Sequence, residues 1–330
     1  MSLNITAVVE RWPVAGQFII ARGAKTYVDV LVVAVSDGVH CGMGEGTAIY
    51  YHNETSGSCL AQVESVIETL ASLDSVLARM AVQDILPPGA ARNAIDCALW
   101  DLAAKQAEIP VWQLAGLKSA PVSLQTAFTI SLGDAATMEA DAAKAAVRGF
   151  GLLKLKLTGE GDRERVAAVR AGAPDARLIV DANESWDDMD VAAEATALAA
   201  LGVEMIEQPV KAGNDAKLDG VKSPVPFLAD ESCQSLADVE LCARYYEGIN
   251  IKLDKAGGLT EALAMARSAE ARGLRVMVGC MLSTSMGIAP AFLAAQGADW
   301  VDLDGPALLA QDREDGFRFD GGMIVPAINL

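Results

Sequence analysis

In the stretch "GLLKLKLTG", Lys154 and Lys156 stand two residues apart with leucines around them. That alternation has the period of a β-strand, so both ammonium groups point to one face. Downstream, apolar runs end on ionisable residues: "LIVDA" on Asp181, "VEMIEQP" on Glu207, "PFLADES" on Asp230 and Glu231, "GINIKLD" on Lys252, and "WVDLDGP" on Asp302 and Asp304. Carboxylates without histidine or thiolate suit a hard cation such as Mg2+, which takes oxygen ligands and keeps positions open for substrate oxygens. Asp181, Glu207 and Asp230 are the candidate ligands. Such an ion binds a carboxylic acid and stabilises the charge that appears as the α-proton leaves. One flanking lysine would take that proton, and a lysine on the other side would return one to the opposite face. A lysine base must be partly neutral, and its free pKa is about 10.4. A second ammonium on the same face disfavours protonation. Lys154 is therefore expected to lower the pKa of Lys156, or to hydrogen-bond the substrate carboxylate.

Each residue alone has a plainer reading. Asp181 could cap the following helix, Glu207 could belong to a turn, and Asp230 with Ser232 could be an N-cap. The lysines could guard a sheet edge. Their recurrence at the same end of successive strands is what the plain readings do not account for.

The elements that would position them follow from the pattern. Residues 1–118 hold strand candidates "NITAVVERWPV", "TYVDVLVVAVSDG" and "VHCGMGEG", with a hairpin signal at Asp37-Gly38. Helical patterns follow over Ser58–Met80 and Ala91–Ala107, which makes an α+β unit. From about residue 119, eight strand candidates alternate with alanine-rich helical segments. That order implies parallel strands with right-handed crossovers, and eight of them imply an α/β architecture of the (β/α)8-barrel type over 119–304. Catalytic groups in such barrels sit at the C-terminal strand ends, where these residues fall. An open doubly wound sheet is the alternative, but no nucleotide-binding glycine fingerprint follows a strand. Residues 305–330 contain "GFRFDGGMIVP", expected as a hairpin returning toward the N-terminal unit.

Composition narrows the function. The 330-residue chain carries a net charge of −18, which argues against nucleic acid and anionic membranes as partners. Its hydrophobic content of 52% and charged content of 21% are those of a globular protein. The six cysteines show no C-x-x-C pair and are expected as buried, reduced thiols. With no signal-peptide pattern at the start and no apolar run near the roughly 18 residues of a membrane span, a cytoplasmic location is expected. Whether the chain forms a homo-oligomer is left open.

The K-x-K of "LKLKL", with "VDANE", "IEQP", "ADES", "NIKLDKAGG" and "VDLDGP", resembles the enolase superfamily, in its muconate-lactonizing-enzyme-like subgroup. The resemblance spans an N-terminal α+β capping domain and the barrel. It implies Asp181, Glu207 and Asp230 as Mg2+ ligands, Lys156 and Lys252 as the acid–base pair, and Lys154 as an accessory lysine. The D-x-D of Asp302 and Asp304 resembles that of dipeptide epimerases, where two carboxylates meet the free α-ammonium of a dipeptide. A helix cap at Asp304 is the alternative. Arg22, in "FIIARGAKTYVDV", sits where epimerases acting on L-Ala-D/L-Glu carry an arginine, in a loop over the site; a guanidinium matches a side-chain carboxylate bidentately. A solvated loop arginine is the alternative. Thr129, Ser283 and Ser285 are candidate pocket hydroxyls. The resemblance thus implies Mg2+-dependent epimerisation of a small dipeptide at its C-terminal residue through an enolate, in the reuse of cell-wall peptides. The rivals are an N-acylamino acid racemase or cycloisomerase on the same scaffold, a barrel that binds without turnover, and a Schiff-base aldolase. The segment "VKAGNDAKLDGVKSPVPF" departs from the family's usual text.

Overall fold

The computed structural model describes residues 2–20 and 23–326. Three antiparallel strands come first: β1 (Asn4–Ile20), β2 (Gly23–Ser36) and β3 (Cys41–Thr47). Helices α1 (Ser56–Ala71) and α3 (Ala90–Ala107) pack on this sheet, and α2 (Ser75–Ile85) packs against them. The single helix expected over 58–80 is two. Asp74 accepts hydrogen bonds from the amides of Val76 and Leu77 and starts a new helix there, a cap that the continuous apolar pattern hid.

The packing of α3 on β3 needs residues without side-chain bulk. A Cβ on Gly44 would lie 2.1 Å from the Ala94 carbonyl oxygen, and one on Gly42 would lie 2.1 Å from that of Ala98. Alternate glycines of the strand thus meet small residues four apart on the helix. Gly44→Ala is expected to destabilise the protein by about 2–3 kcal/mol, the cost of overpacking a closed core, measured by chemical denaturation.

After the two-residue β4 (Leu124–Gln125), eight parallel strands run in sequence order around a sheet: β5 (Phe128–Ile130), β6 (Leu152–Lys156), β7 (Arg177–Asp181), β8 (Val203–Glu207), β9 (Phe227–Ala229), β10 (Gly248–Lys252), β11 (Arg275–Gly279) and β12 (Trp300–Asp302). The Ala127 amide donates to the Val301 carbonyl at 2.8 Å and draws the two ends together. The expected barrel is therefore observed. Between "IEQP" and β9 the crossover carries only the short turn Asp215–Leu218, and the crossover after β9 carries the 3-10 turn Leu236–Asp238 followed by the helical turn Val239–Cys242.

Alternation sorts the strand residues as their pattern implied. Leu153, Leu155, Val180 and Ile206 face outward into the main core. Leu152, Ile179, Met205, Leu228, Met277 and Trp300 form a separate apolar cluster. Each of these six lies two residues before Lys154, Asp181, Glu207, Asp230, Gly279 or Asp302 on the same strand face. The barrel interior is thus greasy below and ionic above.

The C-terminal segment touches both parts. The Ala310 amide donates to the Pro13 carbonyl at 2.8 Å, and Arg313 bonds Glu10 and pairs with Glu45. The hairpin β13 (Arg318–Asp320) and β14 (Met323–Val325) then pairs with β4, not with the three-stranded sheet. All six cysteines are free; Cys41 is exposed and Cys280 half-buried, so the expected burial holds for the other four. No helix among the described residues is long and apolar enough to cross a membrane.

Candidate active site

Register puts the ionisable groups at one level. Lys156 pairs with Asp181 across β6 and β7, and Asp181 pairs with Glu207 across β7 and β8. On the other side, Lys252, Gly279 and Asp302 are aligned across β10, β11 and β12. Parallel strands of matched length therefore deliver these side chains to one rim.

Asp181, Glu207 and Asp230 are buried, and one carboxylate oxygen from each lies within 4.8 Å of the others. Lys156 donates to Asp181 Oδ2 at 2.6 Å from one side, and Lys252 donates to Asp230 Oδ2 at 2.7 Å from the other. The close partners of Lys154 are different from that of Lys156. Its ammonium lies 2.6 Å from Glu207 Oε2 and donates to Asp302 Oδ2 at 2.8 Å, with Asp181 at 3.6 Å. Asn250, on the strand of Lys252, donates to Glu207 Oε1 at 2.7 Å.

Electrostatics follow from these contacts. Burial alone would raise Asp181 and Asp230, but the facing lysines win. Lys156 and Lys154 hold Asp181 below the usual carboxylate range, and Lys252 and Lys255 hold Asp230 well below it. Glu207 is raised by burial and by Asp181. Against the opposing effect of burial, Asp302 and Glu207 keep Lys154 well above the ordinary lysine value, and Asp230 and Glu207 do the same for Lys252.

The buried, all-carboxylate donor set fits a hard cation. Glu207 Oε2 supports the fit: it is buried and makes no hydrogen bond, only the ion contact with Lys154. Three convergent negative charges need positive charge among them.

A pocket opens above the triad. Lys154, Lys156, Lys252, Asp230, Thr129, Asp302 and Asp304 all line it. The D-x-D pair is not two strand residues, since β12 ends at Asp302. Asp304 lies beyond the strand and accepts from the Thr129 amide at 2.7 Å. Burial, then the Asp302 charge, raises Asp304 to about 7. Ser283 and Ser285 are engaged elsewhere: Ser283 donates to the Met281 carbonyl at 3.1 Å, while Ser285 donates to Asp312 and accepts from the Phe317 amide. Neither is among the pocket-lining residues; Cys280, Met281 and Leu282 from the same segment are.

The stretch expected as a loop over the site is mostly strand, with Phe18 paired to Lys25 and Ile19 to Ala24. Arg22 lies outside the described residues. Lys25 lines the pocket, and burial lowers its pKa. A lysine in a long hairpin carries no signature in the sequence. Tyr51, from the turn Tyr50–His52, also reaches the pocket.

The N-terminal unit is fastened next to Lys252. Asp254 accepts from the Thr47 amide and from Asn93, each at 2.8 Å, and Arg92 donates to the carbonyls of Ala256 and Gly257. The turn that follows the β10 lysine is thus the seat of the cap, which explains why "LDKAGG" is polar yet buried.

The site is thus an acid triad between opposed lysines at one rim of a parallel barrel under an α+β cap, and comparison with known proteins gives its family. Residues 2–116 match the mandelate racemase / muconate lactonizing enzyme N-terminal domain, and residues 137–327 match the enolase C-terminal domain-like model. The chain is 44% identical over 313 residues to the L-Ala-D/L-Glu epimerase of Escherichia coli (strain K12), covering 95% of this chain and 96% of that one. It is 37% identical over 300 residues to the N-acetyl-D-glutamate racemase of Pseudoalteromonas sp, covering 90% and 93%. A crystal structure of an enolase family member from Agrobacterium tumefaciens with homology to dipeptide epimerases, with bound sodium and L-Ala-L-Glu, superposes with a TM-score of 0.94 at 44% identity, covering 98% of each chain. The chain belongs to the mandelate racemase / muconate lactonizing enzyme family of the enolase superfamily.

Proposed function

We propose that this isomerase epimerises dipeptides at the C-terminal residue, with L-Ala-D/L-Glu as substrate, by moving the α-proton between two lysines. The observation that carries the reading is the placement of Lys156 and Lys252 on opposite sides of one acid triad. We take residues 1–118 as the cap, 119–304 as the barrel and 305–330 as the returning segment; the two family matches, over 2–116 and 137–327, support the boundary between cap and barrel.

Asp181, Glu207 and Asp230 would hold Mg2+, which would supply charge to the substrate carboxylate and offset the acidic field that raises Lys154 and Lys252. Lys156 and Lys252 take and return the proton on opposite faces of the α-carbon. Lys154, anchored on Asp302 and beside Glu207, sets the charge between the triad and strand β12. Asp302 and Asp304 receive the dipeptide ammonium. Lys25 stands on the cap side of the pocket, where it offers a cation to a side-chain carboxylate.

An N-acylamino acid has no ammonium, so the acid pair separates the two readings. L-Ala-L-Glu is expected to be turned over at least about tenfold better than N-acetyl-L-Glu, in line with a charge-assisted contact of about 1.5–3 kcal/mol. The preference depends on pH. Below about 7 Asp304 becomes protonated and neutral, so KM for the dipeptide should rise as pH falls through that value. The dipeptide amine, with a free pKa of about 7.7–8.0, is mostly charged at and below pH 7, so its own titration falls above that of Asp304. Asp304→Asn should reduce the preference, Asp302 remaining, and remove the inflection near 7. Steady-state rates on the two substrates between pH 6 and 8 check this; better turnover of the N-acetyl compound would favour the racemase.

A further inference from the structure

Lys255 stands beside the triad, and the proposed reaction gives it no task. It follows Lys252 in the helical turn Leu253–Ala256 and is 0% exposed. Its ammonium donates to Asp230 Oδ1 at 2.5 Å, to the Asp230 carbonyl at 2.6 Å, to the Cys233 carbonyl at 3.0 Å and to the Asn250 carbonyl at 3.1 Å. Four oxygens around three N–H donors leave it no freedom to turn toward the substrate. The pocket is lined by Asp230 and Lys252, and Lys255 is not among the lining residues.

Asp230 is thus gripped on both oxygens by lysines of different standing. Oδ2 meets Lys252, which faces the pocket, and Oδ1 meets Lys255, which is sealed behind the wall. A buried ammonium is costly unless a carboxylate and further acceptors compensate it, and here both are present. The carboxylate is fixed in rotation, with Oδ2 turned toward the pocket. We propose that Lys255 is a positioning residue that locks Asp230 and thereby sets the affinity of the acid triad for its divalent cation. This rests on the metal reading of the triad. Nothing in it requires Lys255 to touch substrate or to change its charge.

Lys255→Met keeps the length of the side chain and removes the ammonium. In protein stripped with chelator, calorimetric titration with Mg2+ should show binding about 10–100-fold weaker than in the unaltered chain, the usual effect of losing a group that orients a metal ligand. Unchanged affinity in a folded Lys255→Met protein overturns the proposal. A metal-free arm covers a folding failure. Denaturation of Lys255→Met, Asp230→Asn and the double variant in chelator should give non-additive losses, the double falling well short of the sum of the two singles, because each single leaves a buried group without its partner. Strictly additive losses, or a double variant that fails to fold while Asp230→Asn folds, overturn the proposal. If the unaltered protein binds no Mg2+, the metal reading fails, while the denaturation cycle still decides whether Lys255 acts through Asp230.

Discussion

Replacing either Lys252 or Lys156 by alanine is expected to lower epimerisation about a thousandfold or more in both directions, within the range by which general acid–base groups contribute. Each lysine approaches the triad from its own side, Lys156 against Asp181 and Lys252 against Asp230. A reaction that removes a proton on one face and returns one on the other needs both. The two variants should nevertheless differ. With Lys252 absent, Lys156 still faces one epimer and should exchange that α-proton with solvent. With Lys156 absent, only the opposite epimer should exchange. Supplying L-Ala-L-Glu and L-Ala-D-Glu separately to each variant in D2O distinguishes this from a structural loss, which would remove exchange from both epimers alike. A barrel that only binds ligand would be indifferent to either change. A Schiff-base enzyme would depend on one lysine and trap with borohydride.

The second large effect concerns Glu207. Gln at this position keeps the shape and keeps an oxygen for Asn250, but it withdraws one of the three charges of the triad. Glu207→Gln should weaken Mg2+ binding and lower turnover by more than about a hundredfold, beyond the cost of losing a merely supporting group. It also removes the Lys154–Glu207 ion pair, leaving that buried ammonium with Asp302 and the more distant Asp181. Some loss of stability should accompany the loss of metal. Calorimetric titration and thermal melts with and without Mg2+ check both parts. If metal affinity survives while activity falls, Glu207 serves the substrate and not the ion.

The barrel chemistry was legible because it depends on short-range rules. Period two places Lys154 and Lys156 on one face, and the position of Asp181, Glu207 and Asp230 at the ends of apolar runs places them at one rim. Both follow from strand geometry without knowledge of distant contacts. Where tertiary packing decides, the pattern was silent. The break between α1 and α2 depends on one Asp74 cap inside a continuous apolar stretch. The hairpin that carries Lys25 over the pocket reads as loop because Gly and Arg interrupt it, yet pairing with β1 extends it. Ser283 and Ser285 look like pocket hydroxyls from their place after β11, but the C-terminal segment claims Ser285 through Asp312 and Phe317. Asp304 follows the strand period in sequence, whereas the chain leaves the strand at Asp302 and Thr129 takes hold of it. Lys154 is expected to act on its neighbour Lys156 or on the substrate carboxylate; what the pattern does not show is its contacts with Glu207, Asp302 and, at 3.6 Å, Asp181, which are far apart in sequence.

The most direct test follows L-Ala-L-Glu by proton NMR in D2O with the unaltered protein and Mg2+. The glutamyl α-proton signal should disappear as the D-glutamyl epimer accumulates carrying deuterium at that carbon, and chelator should stop both changes. Retention of the glutamyl α-proton, or exchange at the alanyl α-carbon instead, would contradict a proton passed between two lysines across the acid triad.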